Sequence, residues 1–321
     1  MEESFEFRRW DELIPDALGL IFRKLPLQEV LTIVPRVCKS WGKAARGPYC
    51  WQEIDIEEWS KNCCPDNLDR MLQLLITRSS GSLRKLCVSG LSREQSFLFI
   101  GNNAKSLQML RLPKSEIGDS VVEQVAGMLS NITFLDVSYC IKIGAKALEA
   151  IGKHCKCLTG LRRTMHPLEV INKISQDDEA LAIATTMPNL KQLEIAYMLV
   201  GTTSIIEVLK SCRHLELLDV RGCWNVNLDG NFVKKFNRVK VVGPVVVDCY
   251  DRNGWDNCSD YSSSSGYVPW DFVAGDVDDD DDFDEMSDVY WEDDQDIEDV
   301  EMWFYDDLNA VDSGYDWPQS P

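Results

Sequence analysis

Histidine is the scarcest titratable residue in this chain: 321 residues contain three, His154, His166 and His214. No run of 18 or more apolar residues occurs, so no stretch reads as a membrane span. The opening residues, MEESFEFRRW, carry acids and aromatics where a secretory leader would need a basic patch and an apolar core. The expected compartment is nucleus and/or cytoplasm, with the twelve cysteines reduced. Phosphate-loop, GxGxxG and GxSxG patterns are absent. The cluster His154-Cys155-Lys156-Cys157 and the adjacent Cys63-Cys64 lack the paired spacing of a zinc site. The Asp278–Asp282 run lacks the glycine and terminal glutamate of a calcium loop. The inventory supplies no catalytic constellation. It predicts a non-enzyme with no cofactor and no metal.

Basic side chains are almost missing from one end. From Asp248 to Pro321 there are 25 Asp and Glu against a single base, Arg252, which leaves 28 acids and 32 bases in residues 1–247. A near-neutral body therefore carries a polyanionic tail, which disfavours nucleic acid as a ligand. The tail interleaves its acids with Trp255, Trp270, Trp291, Trp303 and Trp317 and has no aliphatic periodicity. This composition predicts disorder over 248–321. The charge split also suggests that the tail competes for basic residues of the body.

What is abundant is leucine at a fixed interval. The pattern LxxLxL, with Ile or Val variants, starts at Leu83, Leu107, Ile132, Leu158, Leu190 and Leu215, giving spacings of 24, 25, 26, 32 and 25 residues. These lie in the range of leucine-rich repeats, apart from one insertion. Two copies continue as LDVSYC and LDVRGC, with Cys140 and Cys223 at the Asn/Cys position. Each unit supplies a short strand and a return helix that cannot bury its apolar face alone, so stacking is required. The expectation is an α/β fold over 68–247: about six repeats forming a curved sheet with helices on the convex side. Asp119 is expected to cap the helix holding Val121, Val122 and Val125. The copy at Leu158 is degenerate, with Arg163 at an apolar position, and the excess length follows in Thr164 to Glu179. Val239 to Val247 is β-rich and expected to close the stack.

Strand alternation points Lys85, Arg111, Phe134, Asp136, Arg162, Gln192, Glu194, Asp219 and Arg221 to the concave face. Mixed charge with one aromatic suits recognition of a protein client.

Residues 10–56 differ from the repeats. Short helical pieces alternate with Pro15, Pro26 and Pro35, and apolar residues occupy more than one face of each. So small a unit cannot bury all of them, which leaves either a cap on the next domain or a docking module. Ile14-Pro15, Ile21-Phe22, Leu25-Pro26-Leu27, Val37-Cys38-Lys39-Ser40-Trp41 and closing Trp51 together resemble an F-box. Ala17 departs from the family's usual Glu at a variable position. With the repeats, the chain resembles the F-box/leucine-rich-repeat proteins, in particular the plant FBW/SKIP-like group.

The resemblance implies a three-helix F-box bound to an SKP-type adaptor, and through it to cullin and RING subunits of an SCF ubiquitin ligase. Leu13, Ile14, Pro15, Leu18, Ile21, Phe22, Leu25, Leu31, Val34, Val37, Cys38 and Trp41 would face the adaptor or support that face. The repeats would hold a client for ubiquitination and degradation. The alternative is a non-degradative interaction scaffold.

Overall fold

The computed structural model describes residues 13–166, 175–228 and 233–244. Sequence expectations for residues 10–12, most of the insertion after Met165, and the tail lie outside the described residues.

The fold is α/β, built on one open sheet of eight parallel strands in sequential order. The strands are β1 (Glu53–Asp55), β2 (Lys85–Cys87), β3 (Met109–Arg111), β4 (Phe134–Asp136), β5 (Gly160–Arg162), β6 (Gln192–Glu194), β7 (Leu217–Asp219) and β8 (Lys240–Val242). Parallel neighbours require crossovers, and the return helices supply them. These are α6 (Pro65–Arg78), α7 (Glu94–Asn103), α8 (Asp119–Val125), α9 (Ala145–His154), α10 (Asp177–Thr186) and α11 (Thr202–Ser211), with a short α5 (Glu57–Ser60) ahead of α6. The six LxxLxL copies are β2 to β7. The sheet also gains a strand at each end. β1 pairs with β2 in register Ile54↔Leu86, so residues 53–55, read from sequence as the end of the helical unit, begin the sheet.

The pattern's apolar positions form the core. The leading residues Leu83, Leu107, Ile132, Leu158, Leu190 and Leu215 are all at most 2% exposed. Burying one such side chain contributes about 1.5–3 kcal/mol, which only a neighbouring repeat makes possible. Val121, Val122 and Val125 of α8, and Ala147, Leu148 and Ile151 of α9, close the other side. Cysteine thiols tie successive repeats together: Cys140 donates to Leu112 O (3.1 Å), Cys155 to Leu129 O (3.3 Å), Cys212 to Met187 O (3.4 Å) and Cys223 to Ile195 O (3.2 Å).

The repeat is also written in backbone dihedrals. Gly90, Lys114, Tyr139, Tyr197 and Gly222 occupy one position of five repeats, and all have φ between 58° and 70°. Asp119 does not cap its own helix; Gly118 is the cap residue. The Asp119 carboxylate instead accepts the N–H of Gly144, ahead of α9, at 2.7 Å, and Asp177 does the same for Gly201, ahead of α11. Each helix start thus satisfies an orphan donor of the next.

The helical unit is α1 (Pro15–Phe22), α2 (Leu27–Thr32), α3 (Val34–Val37) and α4 (Lys39–Arg46), four helices where three were expected. Pro35 sits in the first turn of α3, where its missing N–H costs nothing, and so starts a helix there. Phe22 and Trp41 rings meet at 5.1 Å, and the Trp51 indole donates to Ala45 O at 2.8 Å. The core runs without interruption from Leu18 of α1 to Val239 before β8.

Candidate interaction surfaces

Two surfaces follow from this architecture. The first lies on the helical unit. Among the described residues, eleven large hydrophobics are exposed, and seven fall between residues 14 and 49: Ile14, Leu20, Ile21, Leu25, Ile33, Val37 and Tyr49. Ile14 is 65% exposed, Ile33 58% and Val37 55%. So many exposed apolar side chains on so small a unit mark it as a candidate interaction surface. The structure divides the twelve candidate residues. Ile14, Pro15, Ile21, Leu25 and Val37 are exposed, while Leu13, Cys38 and Trp41 are half-buried. Leu18, Phe22, Leu31 and Val34 are at most 2% exposed; they form the unit's interior and present nothing to a partner. Leu20, Ile33 and Tyr49 belong to the exposed set and were missed.

The second surface is the sheet face away from the helices. Its charges are largely spent on one another. Lys85 pairs with Asp55 (3.2 Å). Arg111 bridges Glu57 (3.1 Å) and Asp136 (3.4 Å), and Arg162 bridges Asp136 (3.6 Å) and Glu194 (2.7 Å). Gln192 also donates to Glu194. Asp136 and Asp219, expected to meet a client, are 2% and 5% exposed. Each accepts the N–H two residues on, from Ser138 and Arg221 at 3.0 Å, and so shapes the turn after its strand. Their work is structural. Arg221 remains exposed but lies on Asp219 at 2.6 Å.

Beside this charged row runs a second, aligned by register, in which Met109, Phe134 and Leu217 are apolar, Gly160 and Gln192 lie between them, and Lys85 and Lys240 flank the run. Phe134 is half-buried because its ring lies over Gly160, where an added Cβ would come within 2.5 Å of it. On the adjoining turns Ile141 and Trp224 are 53% and 70% exposed. Both follow the repeat cysteine, Cys140 and Cys223, a positional signal present in the repeat pattern itself.

The His154–Cys157 cluster does not assemble. Cys155 is buried with its thiol on a backbone carbonyl, while His154 and Cys157 face solvent. Among the described residues, Asp55, Glu57 and Cys87 are close enough to share an ion, with donor atoms within 4.8 Å of one another. Both carboxylates already hold cations, Lys85 and Arg111. Burial, with Asp55 adding to it, pushes the Cys87 thiol up to about 12, so it stays protonated near neutral pH. Protein side chains satisfy this cluster.

No protein-family model matches the chain. It is 57% identical over 282 residues to F-box protein FBW2 of Arabidopsis thaliana, covering 86% of this chain and 89% of that one. It is 32% identical over 286 residues to F-box protein SKIP19 of the same plant, covering 88% and 90%. A third Arabidopsis relative, described as F-box/LRR-repeat protein 23, is 29% identical over 238 residues, 73% of this chain and 53% of that one. With helical unit, stacked repeats and relatives of matching length in agreement, the chain belongs to the F-box/leucine-rich-repeat proteins, in the group of FBW2 and SKIP19.

Proposed function

We propose that this protein is the substrate-recognition subunit of an SCF-type ubiquitin ligase. The helical unit docks on an SKP-type adaptor, and through it on cullin and RING subunits. The sheet face and its turns hold a protein client for ubiquitination and degradation. The chain performs no chemistry itself; it raises the local concentration of client lysines near a charged ubiquitin donor. The observation that carries this reading is the clustering of seven exposed hydrophobics on the helical unit. For the client, Met109, Phe134 and Leu217 on the sheet face, and the exposed Ile141 and Trp224 on the turns past the charged row, are the favoured contacts, because the charges between them are already paired.

A pull-down with purified SKP-type adaptor tests the reading. The intact chain should bind stoichiometrically. Ile14→Asp and Val37→Asp, which change solvent-facing side chains, should abolish binding while leaving the circular-dichroism melt in place. A folded wild type that ignores the adaptor would overturn the proposal. Adaptor binding without client turnover would indicate a non-degradative scaffold instead.

A further inference from the structure

The two rims of the repeat domain differ in charge. At the rim where helices end and strands begin, the connecting residues are 84, 104–108, 129–133, 153–159, 187–191, 210–216 and 235–240. They hold ten Lys and Arg and one carboxylate, Glu216. Backbone hydrogen bonds make this rim one continuous row: Gln108 N–H to Arg84 O, Thr133 to Gln108, Thr159 to Thr133, Lys191 to Thr159, Glu216 to Lys191 and Lys240 to Glu216, all at 2.7–2.8 Å. Arg84, Lys105, Lys156, Lys191, Arg213 and Lys240 are all exposed along it.

Helix ends explain part of this charge. Lys153 and Lys210 stand in the last turns of α9 and α11, where the dipole favours cations, and each pairs with a glutamate of its own helix. Arg84, Lys105, Arg213 and Lys240 lie outside the helices and have no carboxylate within ion-pair distance among the described residues. On the opposite rim most cations are paired: Arg93, Lys142, Arg163 and Arg221 are held by acids of the body, as are Arg111 and Arg162 on the open face, while Lys114 and Lys146 stand apart from one another without such a partner among the described residues. On the repeat domain the longest continuous run of such cations is therefore the helix-end rim, away from the open-face arginines.

We propose that the acidic tail of the same chain, residues 248–321, lies along this rim. Its 25 acids against one base complement the row in sign. The row crosses seven strands, about 30 Å at roughly 4.8 Å per strand. A 74-residue segment spans that distance several times over, at about 3.3 Å per extended residue. The tail leaves the body just past β8, whose first residue, Lys240, is the row's last member, so tethering keeps its effective concentration near the millimolar range. Met128, 40% exposed just ahead of the rim, offers apolar contact to the tail's tryptophans. This inference is independent of the ligase reading.

Zero-length carbodiimide coupling of the dilute full-length protein at low salt, read by peptide mass spectrometry, tests it. Tail carboxylates should couple to Lys105, Lys156, Lys191 and Lys240 severalfold more than to Lys114 and Lys146, exposed lysines of the other rim. The preference should vanish in about 1 M salt, where the Debye length falls to about 3 Å. In a mixture of isotope-labelled and unlabelled chains, the links should stay within one chain. Equal coupling to both lysine sets, no tail links, or links mainly between chains would each overturn the proposal.

Discussion

Arg163 and Glu179 form an ion pair (Nε to Oε2, 3.1 Å) inside the repeat core, with the arginine side chain fully buried. The position belongs to Val88, Leu112, Val137, Ile195 and Val220 in the other repeats. A cation survives there because its remaining donors reach Ile143 O at 2.8 Å and Val137 O at 3.4 Å. Glu179 is held in turn by Gln176 Nε2 at 3.0 Å, and Gln176 Oε1 accepts the Leu199 N–H at 3.1 Å. This network ties the two ends of the insertion in the degenerate repeat to the sheet.

Breaking one side of the pair should therefore cost far more than removing both. Glu179→Leu leaves a buried guanidinium unpaired and is expected to lose about 3–5 kcal/mol. Arg163→Met combined with Glu179→Leu restores the apolar pattern and should recover most of that loss. Urea unfolding of both single variants and the double variant gives the coupling. A double variant as unstable as the sum of the singles would refute the pair's role.

The left-handed position supports a second contrast. Lys114 has φ 58° and is exposed, so Lys114→Gly removes a backbone cost of about 1–2 kcal/mol against a smaller entropic loss and should be neutral to stabilising. Gly222 has φ 68° and lies beneath the Tyr197 ring, which an added Cβ would approach to 2.2 Å. Gly222→Ala combines backbone strain with overpacking and should destabilise by about 2–5 kcal/mol. Thermal melts of the two variants should move apart, the second falling well below wild type.

The periodic part of this fold is legible because each repeat leucine must be buried, and burial leaves a strict spacing. The ends are less legible. Trp51-x-x-Ile54-x-Ile56 fits the repeat with tryptophan in the leading place, but the same residues also close the F-box resemblance, and that hid β1. Arg163 reads as decay of the pattern until Glu179, sixteen residues on, is seen beside it. In the helical unit Leu18 and Ile21 differ by one turn and not at all in chemistry. Only the packing of α1 against α4 and the Pro48–Trp51 turn buries one and exposes the other. Strand alternation groups the open-face charges, but pairing between strands, invisible in one-dimensional spacing, removes most of them from a partner's reach.

Acid should weaken the link between α10 and α11. Burial pushes the Asp177 carboxyl up, but hydrogen bonds from Ser204, the Gly201 N–H and Ser175 outweigh it and hold the group below its usual value. A depressed folded-state pKa gives stability that is fully present above the unfolded value, near 4, and lost as pH falls through the folded one. Asp177→Asn should melt below wild type at pH 7, and the gap should close below about pH 4. A gap that is constant from pH 7 to pH 3 would mean that ionisation is irrelevant there.

Thiol reactivity should map the stack. Burial raises Cys140, Cys155, Cys212 and Cys223 to about 11, and each donates its proton to a carbonyl of the preceding repeat. Both effects suppress the thiolate that iodoacetamide attacks. Cys64 and Cys157 are exposed. In native protein at pH 8 these two should alkylate rapidly, while the four repeat cysteines and Cys87 stay unlabelled until denaturant is added, as peptide mass spectrometry would resolve. Because each buried thiol sits at a junction between repeats, their labelling order on stepwise addition of urea reports where the stack opens. A cooperative stack exposes all five together; fraying exposes Cys87 and Cys223, nearest the ends, first.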